Sequence, residues 1–572
     1  MITDLKYALR MLFKAPVFTI VAVLTLALGI GANSAIFSVV DAVLLRPLPF
    51  AQPERLIAVW SKVEHEAERE TNSFPDYADI RDQSQTIESL TCYTEASAVL
   101  GTGPEARQLI GLAVTSDIFR VLGVQPYLGR AFTRAEDNDA ARVVVLTYES
   151  WKRLFNGDAA IVGRDILLSL RPYTVIGVMP PGFRYPVGAP RDYLMPLHPL
   201  VPAQIKMRES HFLRCVGRLK PGVSVNQATA EVKAIADRVE KQYPSSNTGR
   251  SAFAISLHDD LVGDVRPALL AVLAAVFLVL LIACANVANL LLARATARRR
   301  EIAIRTALGA SRRQIVRQLL AEGFVLALLG SLAGLLLAWW GIDLLRAFGP
   351  HDVPRLDEIQ INSSVIAFTL AAAIVSTLLF ATFPALQVSR LDVNASLQEG
   401  TRGAIGPGSH RLRAMLVIVQ VALSILLLAG AGLLIKSFGN LSNTNPGFDP
   451  HRVMALRFSL PRAKYSDEDK QTQFLEELIA KLRALPGIES VGGAAPLPFS
   501  GNDRASSFWI VGRADPGPGN HPNASHLVVA GDYFRTMRIP LLAGRTLDGR
   551  DTKSSTPVIM VNETFARQFF PG

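Results

Sequence analysis

Five stretches of this chain carry no charged residue: 15–40, 267–293, 323–342, 361–389 and 414–435. Each meets or exceeds the ~20 residues that a helix needs to cross ~30 Å of hydrocarbon. Five such runs in one chain argue against buried helices of a water-soluble core and for membrane spans. The 572 residues are 49% hydrophobic and 19% charged, and the apolar residues cluster in these runs. The first run follows Lys6, Arg10 and Lys14, as a secretory signal would. A cleaved apolar region is usually ~7–15 residues, so this one reads as a retained span.

The arginines set an expected orientation, because Lys and Arg accumulate on the cytoplasmic flank of spans. Segment 294–317 holds eight arginines against Glu301 alone and is expected in the cytoplasm, as is the N-terminus. Segment 343–360 carries Asp343, Asp352, Asp357 and Glu358 against Arg346 and Arg355, and by alternation falls outside. Segment 390–413 has four arginines against Asp392 and Glu399, and falls inside. The net charge of +10 therefore follows membrane topology and does not call for nucleic acid. Cys284 falls inside a span; a Cys92–Cys215 disulfide is open, but the three cysteines form nothing that resembles a disulfide framework.

The expected fold class is a multi-pass α-helical membrane protein with α/β (α+β) external domains. Residues 1–16 form a cytoplasmic N-terminus, 17–45 the first span and 46–262 an external domain. Residues 263–390 hold three spans around the cytoplasmic loop 294–317. A linker, 391–413, leads to the fifth span, 414–438, and to a second external domain, 440–572. In the first external domain "RVVVLT" and "YTVIGVM" read as strands and "YESWKRLF" as a helix. Residues 224–243 read as an amphipathic helix capped by Ser224, with Val225, Ala228, Val232, Ile235 and Val239 on one side.

An internal repeat links the two external domains. "SDIFRVLGVQPYLGRAF" (116–132) resembles "GDYFRTMRIPLLAGRTL" (531–547). At one constant offset Asp117, Phe119, Arg120, Gly129 and Arg130 recur as Asp532, Phe534, Arg535, Gly544 and Arg545. The same offset pairs 143–146 with 558–561, which predicts a strand at 558–561 and a helix at 563–570. The expectation is two tandem copies, the second incomplete, because the part of the first copy beyond Gly157 has no counterpart.

No Walker A motif occurs, and "HEAER" (65–69) lacks the second histidine of a zinc protease helix. Nothing points to catalysis, a metal or a cofactor. "LGIGANSA" (28–35) is glycine-rich but lies inside the first span, so it reads as helix packing. Gly330 and Gly334 form a Gly-x-x-x-Gly in the third span, open to intrachain packing or dimerisation. In the arginine segment, 300–308 can form a short helix with Glu301 and Arg305 as an i,i+4 pair and Ile304, Ala307 and Leu308 on one face. Gly309 stops it, and Ser311 with Gln314 is a capping box for the next helix.

The stretch "RRREIAIRTALGASRRQIVRQLL" resembles the signature of MacB/FtsX-type ABC transporter permeases. Residues 4–50, from "DLKYALRMLFK" to "LLRPLPF", are similar to the start of the acidobacterial-type duplicated permeases of that superfamily. The resemblance implies periplasmic core domains, a bacterial inner-membrane location and a companion ABC ATPase on a separate chain. It places Arg300, Glu301, Ile304, Arg305, Ala307, Leu308, Gly309 and Ala310 in the ATPase-coupling segment. Ala303 stands where the wider family often has glycine. Two functions follow as expectations. One is a permease subunit for export or mechanotransmission, with a periplasmic adaptor or envelope protein as external partner. The alternative is a non-transport regulator whose external domains control an envelope protein. Charge within the spans is scarce, which favours force transmission over a polar path.

Overall fold

The computed structural model describes residues 2–63, 69–103, 106–297, 311–348, 355–389, 407–461, 463–465, 467–499, 505–517 and 521–571. They divide into two compact units. The first comprises 1–49, 184–190 and 258–442, and the second 50–183, 191–257 and 443–572.

Six long helices organise the first unit: α1 (Ile2–Phe13), α2 (Pro16–Val40), α3 (Arg266–Ala297), α4 (Arg312–Phe348), α5 (Ser363–Ser389) and α6 (Pro407–Ser442). All but α1 are long and apolar enough to cross a membrane. Helix α1 stops at Phe13 and Pro16 starts α2, where a missing N–H costs nothing. Helices α2, α3, α4 and α5 share a core that includes Leu26, Ile30, Leu280, Val287, Leu326 and Phe380, and Ala8 and Leu12 of α1 join it. Helix α6 meets α3, with Leu416 against that core, while most of its apolar residues stay exposed. In lipid such exposure carries no hydrophobic cost. Helix α4 begins at Arg312, where the Ser311 capping box predicts, so the buried Glu322 lies inside the helix.

In the second unit the strands are β1 (Leu56–Val63), β2 (Ile87–Leu100), β3 (Arg107–Val114), β4 (Leu128–Gly129), β5 (Val143–Leu146), β6 (Asp165–Leu168), β7 (Arg171–Val178), β8 (Tyr193–Pro196), β9 (Arg214–Leu219) and β10 (Arg250–Ser256). They pair in the order β10-β1-β9-β2-β3-β8-β5-β7-β4. Strand β6 pairs with both β7 and β2, which closes β2-β3-β8-β5-β7-β6 into a ring. Ser169 fastens the closure: its N–H donates to the Val99 carbonyl at 2.7 Å and its Oγ accepts from the Val99 N–H at 3.2 Å. The helix Val225–Gln242 covers β10 and buries Ala228, Val232, Ile235 and Val239. Its capping box is complete, with Ser224 and Gln227 each bonding the other's backbone N–H.

Residues 443–571 contain the helix Glu468–Arg483, strands β11 (Gly492–Ala495), β12 (Ala505–Ser507), β13 (Asn523–Ser525) and β14 (Val528–Gly531), and the short helices Tyr533–Thr536 and Glu563–Phe569. Strand β11 pairs with β14, and β12 with β13. The strand expected at 558–561 does not form. Residues 143–146 are held between β7 and β8, whereas 558–561 has no such neighbours among the described residues, and Ile559 is 81% exposed. Local geometry still repeats between the two regions. Arg130 grips Glu136 through two hydrogen bonds of 2.7 Å. Arg545 grips Asp551 with bonds of 2.7 and 2.5 Å. Both arginines also donate to the next residue's carbonyl, at 3.1 and 3.0 Å. The preceding Gly129 and Gly544 both have positive φ, 71° and 84°.

The Arg130 fork holds the Glu136 carboxyl down at about 2, against the opposing effect of burial, with help from the Thr133 backbone and hydroxyl. A depressed carboxylate contributes stability above its unfolded value, near 4.5, and loses it as pH falls through the folded value. Glu136→Gln is therefore expected to lower the melting temperature of the detergent-solubilised chain at neutral pH. The gap from wild type should narrow between about pH 5 and about pH 2, read by thermal melts across that range.

Candidate coupling site

The proposed coupling residues Arg300, Glu301, Ile304, Arg305, Ala307, Leu308, Gly309 and Ala310 lie outside the described residues. The segment's two flanks are described. On one side Arg294, near the end of α3, donates to the Met11 carbonyl at 2.6 Å, and its guanidinium lies 4.6 Å from the centre of the Phe18 ring. That ties α3 to the α1–α2 corner. On the other side Ser311 opens α4 with both halves of a capping box. Its N–H donates to Gln314 Oε1 at 2.9 Å, and its Oγ accepts from the Gln314 N–H at 3.4 Å. Helix α4 then runs unbroken for 37 residues.

Glycine sets the contact between α4 and α2. A Cβ placed on Gly31 would stand 2.8 Å from the Gly334 carbonyl oxygen, and one on Gly330 would stand 2.6 Å from Leu26 Cβ. Gly330 and Gly334 thus meet α2 of the same chain. Polar bonds fasten α2 to its other neighbours. Asn33 Nδ2 donates to the Val276 carbonyl of α3 at 2.7 Å, and Ser34 Oγ lies 2.8 Å from Thr369 Oγ1 of α5. Phe37 and Phe368 stack with ring centres 4.0 Å apart. "LGIGANSA" is helical throughout.

At the far end of α2 a polar clasp appears that the sequence reading missed. Residues Asp41–Leu45 continue the helix as a single π-turn, a local widening often found at functional sites. Asp41, buried, accepts from Asn362 Nδ2 at 2.8 Å and from Arg46 at 3.3 Å. Arg355, also buried, donates to the Glu358 carboxylate at 3.0 and 2.8 Å and to the Arg46 carbonyl at 2.8 Å. The clasp therefore joins the end of α2 to the α4–α5 connection. The sequence signal was present: Asp41 is the first charge after the run, and Arg46 follows five residues on.

Comparison with known proteins gives two family-model matches: the MacB-like periplasmic core domain over residues 19–235 and the FtsX-like permease C-terminal over residues 273–393. The chain carries a MacB-like periplasmic core domain and an FtsX-like permease domain. A relative is the macrolide export ATP-binding/permease protein MacB of Chromobacterium violaceum, 29% identical over 287 residues, covering 49% of this chain and 42% of that protein. The pyoverdine export ATP-binding/permease protein PvdT of Pseudomonas syringae pv. tomato is 27% identical over 272 residues, covering 47% and 40%. The chain spans about two fifths of the length of the curated relatives it matches. The periplasmic region of MacB from Actinobacillus actinomycetemcomitans is 16% identical, covers 37% of this chain and 92% of that one, and has a TM-score of 0.28. Neither matched family model is an ATP-binding domain.

The glycine contact predicts a sharp positional contrast. Gly334→Leu must push α4 off α2, because its first neighbours are backbone atoms of Gly31 and Ala27. A loss of about 1–3 kcal/mol is expected. Gly432→Leu on α6, where a Cβ meets nothing within 4 Å, should stay within about 0.5 kcal/mol of wild type. Thermal melts of both variants in detergent check this.

Proposed function

We propose that this chain is the permease subunit of an ABC-type export or mechanotransmission system, driven by a separate ABC ATPase docked on segment 300–310. The lock of α4 on α2 carries this reading. A push delivered at the start of α4 enters a continuous helix whose backbone rests on the backbone of α2. Side chains at such a contact have no slack to absorb the displacement, so α2 must move with α4. In the chain, α2 leads into the extramembrane domain that begins at residue 50. The arginine asymmetry supports an N-terminus in the cytoplasm and both extramembrane segments outside, in a bacterial inner membrane. The MacB and PvdT relatives are named as exporters, which supports outward transport or force with an adaptor or envelope protein as the external partner. The repeated arginine fork at 130 and 545 supports a tandem duplication of the external domain.

Two measurements test this. Glu301→Lys combined with Leu308→Asp should abolish co-purification of the ATPase while membrane expression persists, because a new carboxylate buried at the contact costs several kcal/mol. Unchanged recovery would reduce the segment to a topogenic role. Single cysteines placed at positions 300–312 should label only from the cytoplasm, and one at Asp139 only from outside. Labelling of position 139 from the cytoplasm would reverse the orientation.

A further inference from the structure

Cys92 on β2 and Cys215 on β9 stand directly opposite each other in the antiparallel register. Both lie buried in the same apolar core. Opposed residues in such a ladder alternate between pairs that exchange backbone hydrogen bonds and pairs that do not. The second kind brings Cα atoms to ~4.5 Å and side chains closest together.

The backbone partners decide which kind this is. The Cys92 N–H donates to Thr115 Oγ1 at 3.2 Å, and the Cys92 carbonyl accepts from the Thr115 N–H at 3.0 Å. Both groups therefore point toward the β3 side, away from β9. Two residues earlier, the Leu90 carbonyl accepts from the Tyr77 hydroxyl at 3.1 Å, which is the same edge. The other strand agrees. Val59 of β1 is opposite Cys215. Ser61, two residues on, exchanges bonds of 3.0 and 2.9 Å with Glu70. Strand β10 occupies the other edge of β1 throughout, so Ser61 and Val59 both turn their backbone groups toward the β9 edge. Cys215 then answers Val59, and its groups point away from β2. Cys92 and Cys215 are thus a non-hydrogen-bonded pair, and ~4.5 Å between Cα atoms falls in the ~4.4–6.8 Å window that a disulfide spans.

We propose that Cys92 and Cys215 are a disulfide-forming pair, joined across β2 and β9 when the domain folds in an oxidising compartment. This rests on the outward placement of that domain. Both cysteines are free thiols in this structure. Burial pushes both thiols well above the ordinary range, so the closed core offers almost no thiolate, and exchange belongs to the interval before the sheet closes. One cysteine thiolate attacks an exogenous disulfide, oxidised glutathione or a disulfide oxidoreductase, releasing one thiol and leaving a mixed disulfide. The second cysteine attacks the protein sulfur of that mixed disulfide and releases the other half as a thiol. The pair loses two electrons, the exogenous disulfide gains them, and the two thiol protons pass to the released thiols.

The test uses the full chain in bacterial membranes, quenched in acid, denatured, alkylated without reductant, digested and mapped by mass spectrometry. The expected product is the Cys92 peptide joined to the Cys215 peptide, with Cys284 alkylated and the joined species lost on reduction. Reduction should also lower the melting temperature of the solubilised chain by roughly 5–10 °C. A Cys92→Ala, Cys215→Ala double variant should melt alike with and without reductant. Orientation is read in parallel from an Asp139→Cys chain. Two alkylated cysteines at 92 and 215, with position 139 labelled from outside, overturn the pairing. The same result with position 139 reachable only from the cytoplasm overturns the outward placement, and the pairing falls with it. A cross-link from either cysteine to Cys284 also overturns the pairing.

Discussion

Gly31 and Gly334 let two helix backbones touch, and the rest of the membrane unit is arranged around that contact. Lipid tails are as apolar as leucine, so burying leucine between spans gains little. Close packing and interhelical hydrogen bonds must hold the bundle. Once α2 is seated on α4, Asn33 and Ser34 come within bonding distance of α3 and α5. Each such bond contributes on the order of 1 kcal/mol, and each requires α2 at one depth and one rotation. The clasp inherits the same requirement. Asp41 can reach Asn362 only if α2 ends at the level of the α4–α5 connection. Removing one partner would leave a buried charge uncompensated.

The extramembrane domain solves a different problem, in water. A ten-stranded sheet has edges, and edges pair with other chains. Closing β6 onto β2 removes the edges of six strands, and the Ser169 bonds make that closure. The helix Val225–Gln242 covers β10 at one end of the strand order. The Thr229 hydroxyl donates to the Ala254 carbonyl at 2.7 Å, tying helix to strand. Glu231 accepts from the backbone N–H groups of Gln85 and Thr86 at 2.7 and 2.9 Å, next to the start of β2. Burial raises its pKa, but these bonds and those from the Ser84 and Thr86 hydroxyls leave it lower than usual.

Much of this was legible from the sequence. The five candidate spans follow from length and absence of charge, and the described residues include five helices long and apolar enough to cross a membrane. Local rules also served: the Ser224 and Ser311 capping boxes depend on residues three apart, and both formed. What was illegible depends on partners distant in the chain. Residues 558–561 have a strand's composition, but a strand exists only when another pairs with it. The clasp joins Asp41 to Asn362, which no local pattern could link. A Cys92–Cys215 pairing was open in the sequence, but only the register of β2 against β9 makes the two neighbours.

The placement of polar groups bears on what the bundle is built to do. A polar path through a membrane needs side chains turned toward a shared cavity. Here the Asn33 amide and the Ser34 hydroxyl face carbonyls and hydroxyls of adjacent helices. Ser38 and Ser331 bond back to their own helices at 2.8 and 2.7 Å. Glu322, buried near the start of α4, receives Gln318 Nε2 at 3.4 Å one turn earlier. These contacts join helices or stiffen single turns. Among the described residues, the clasp lies where α2 ends. Such fastening fits the proposed transmission of displacement from α4 to α2.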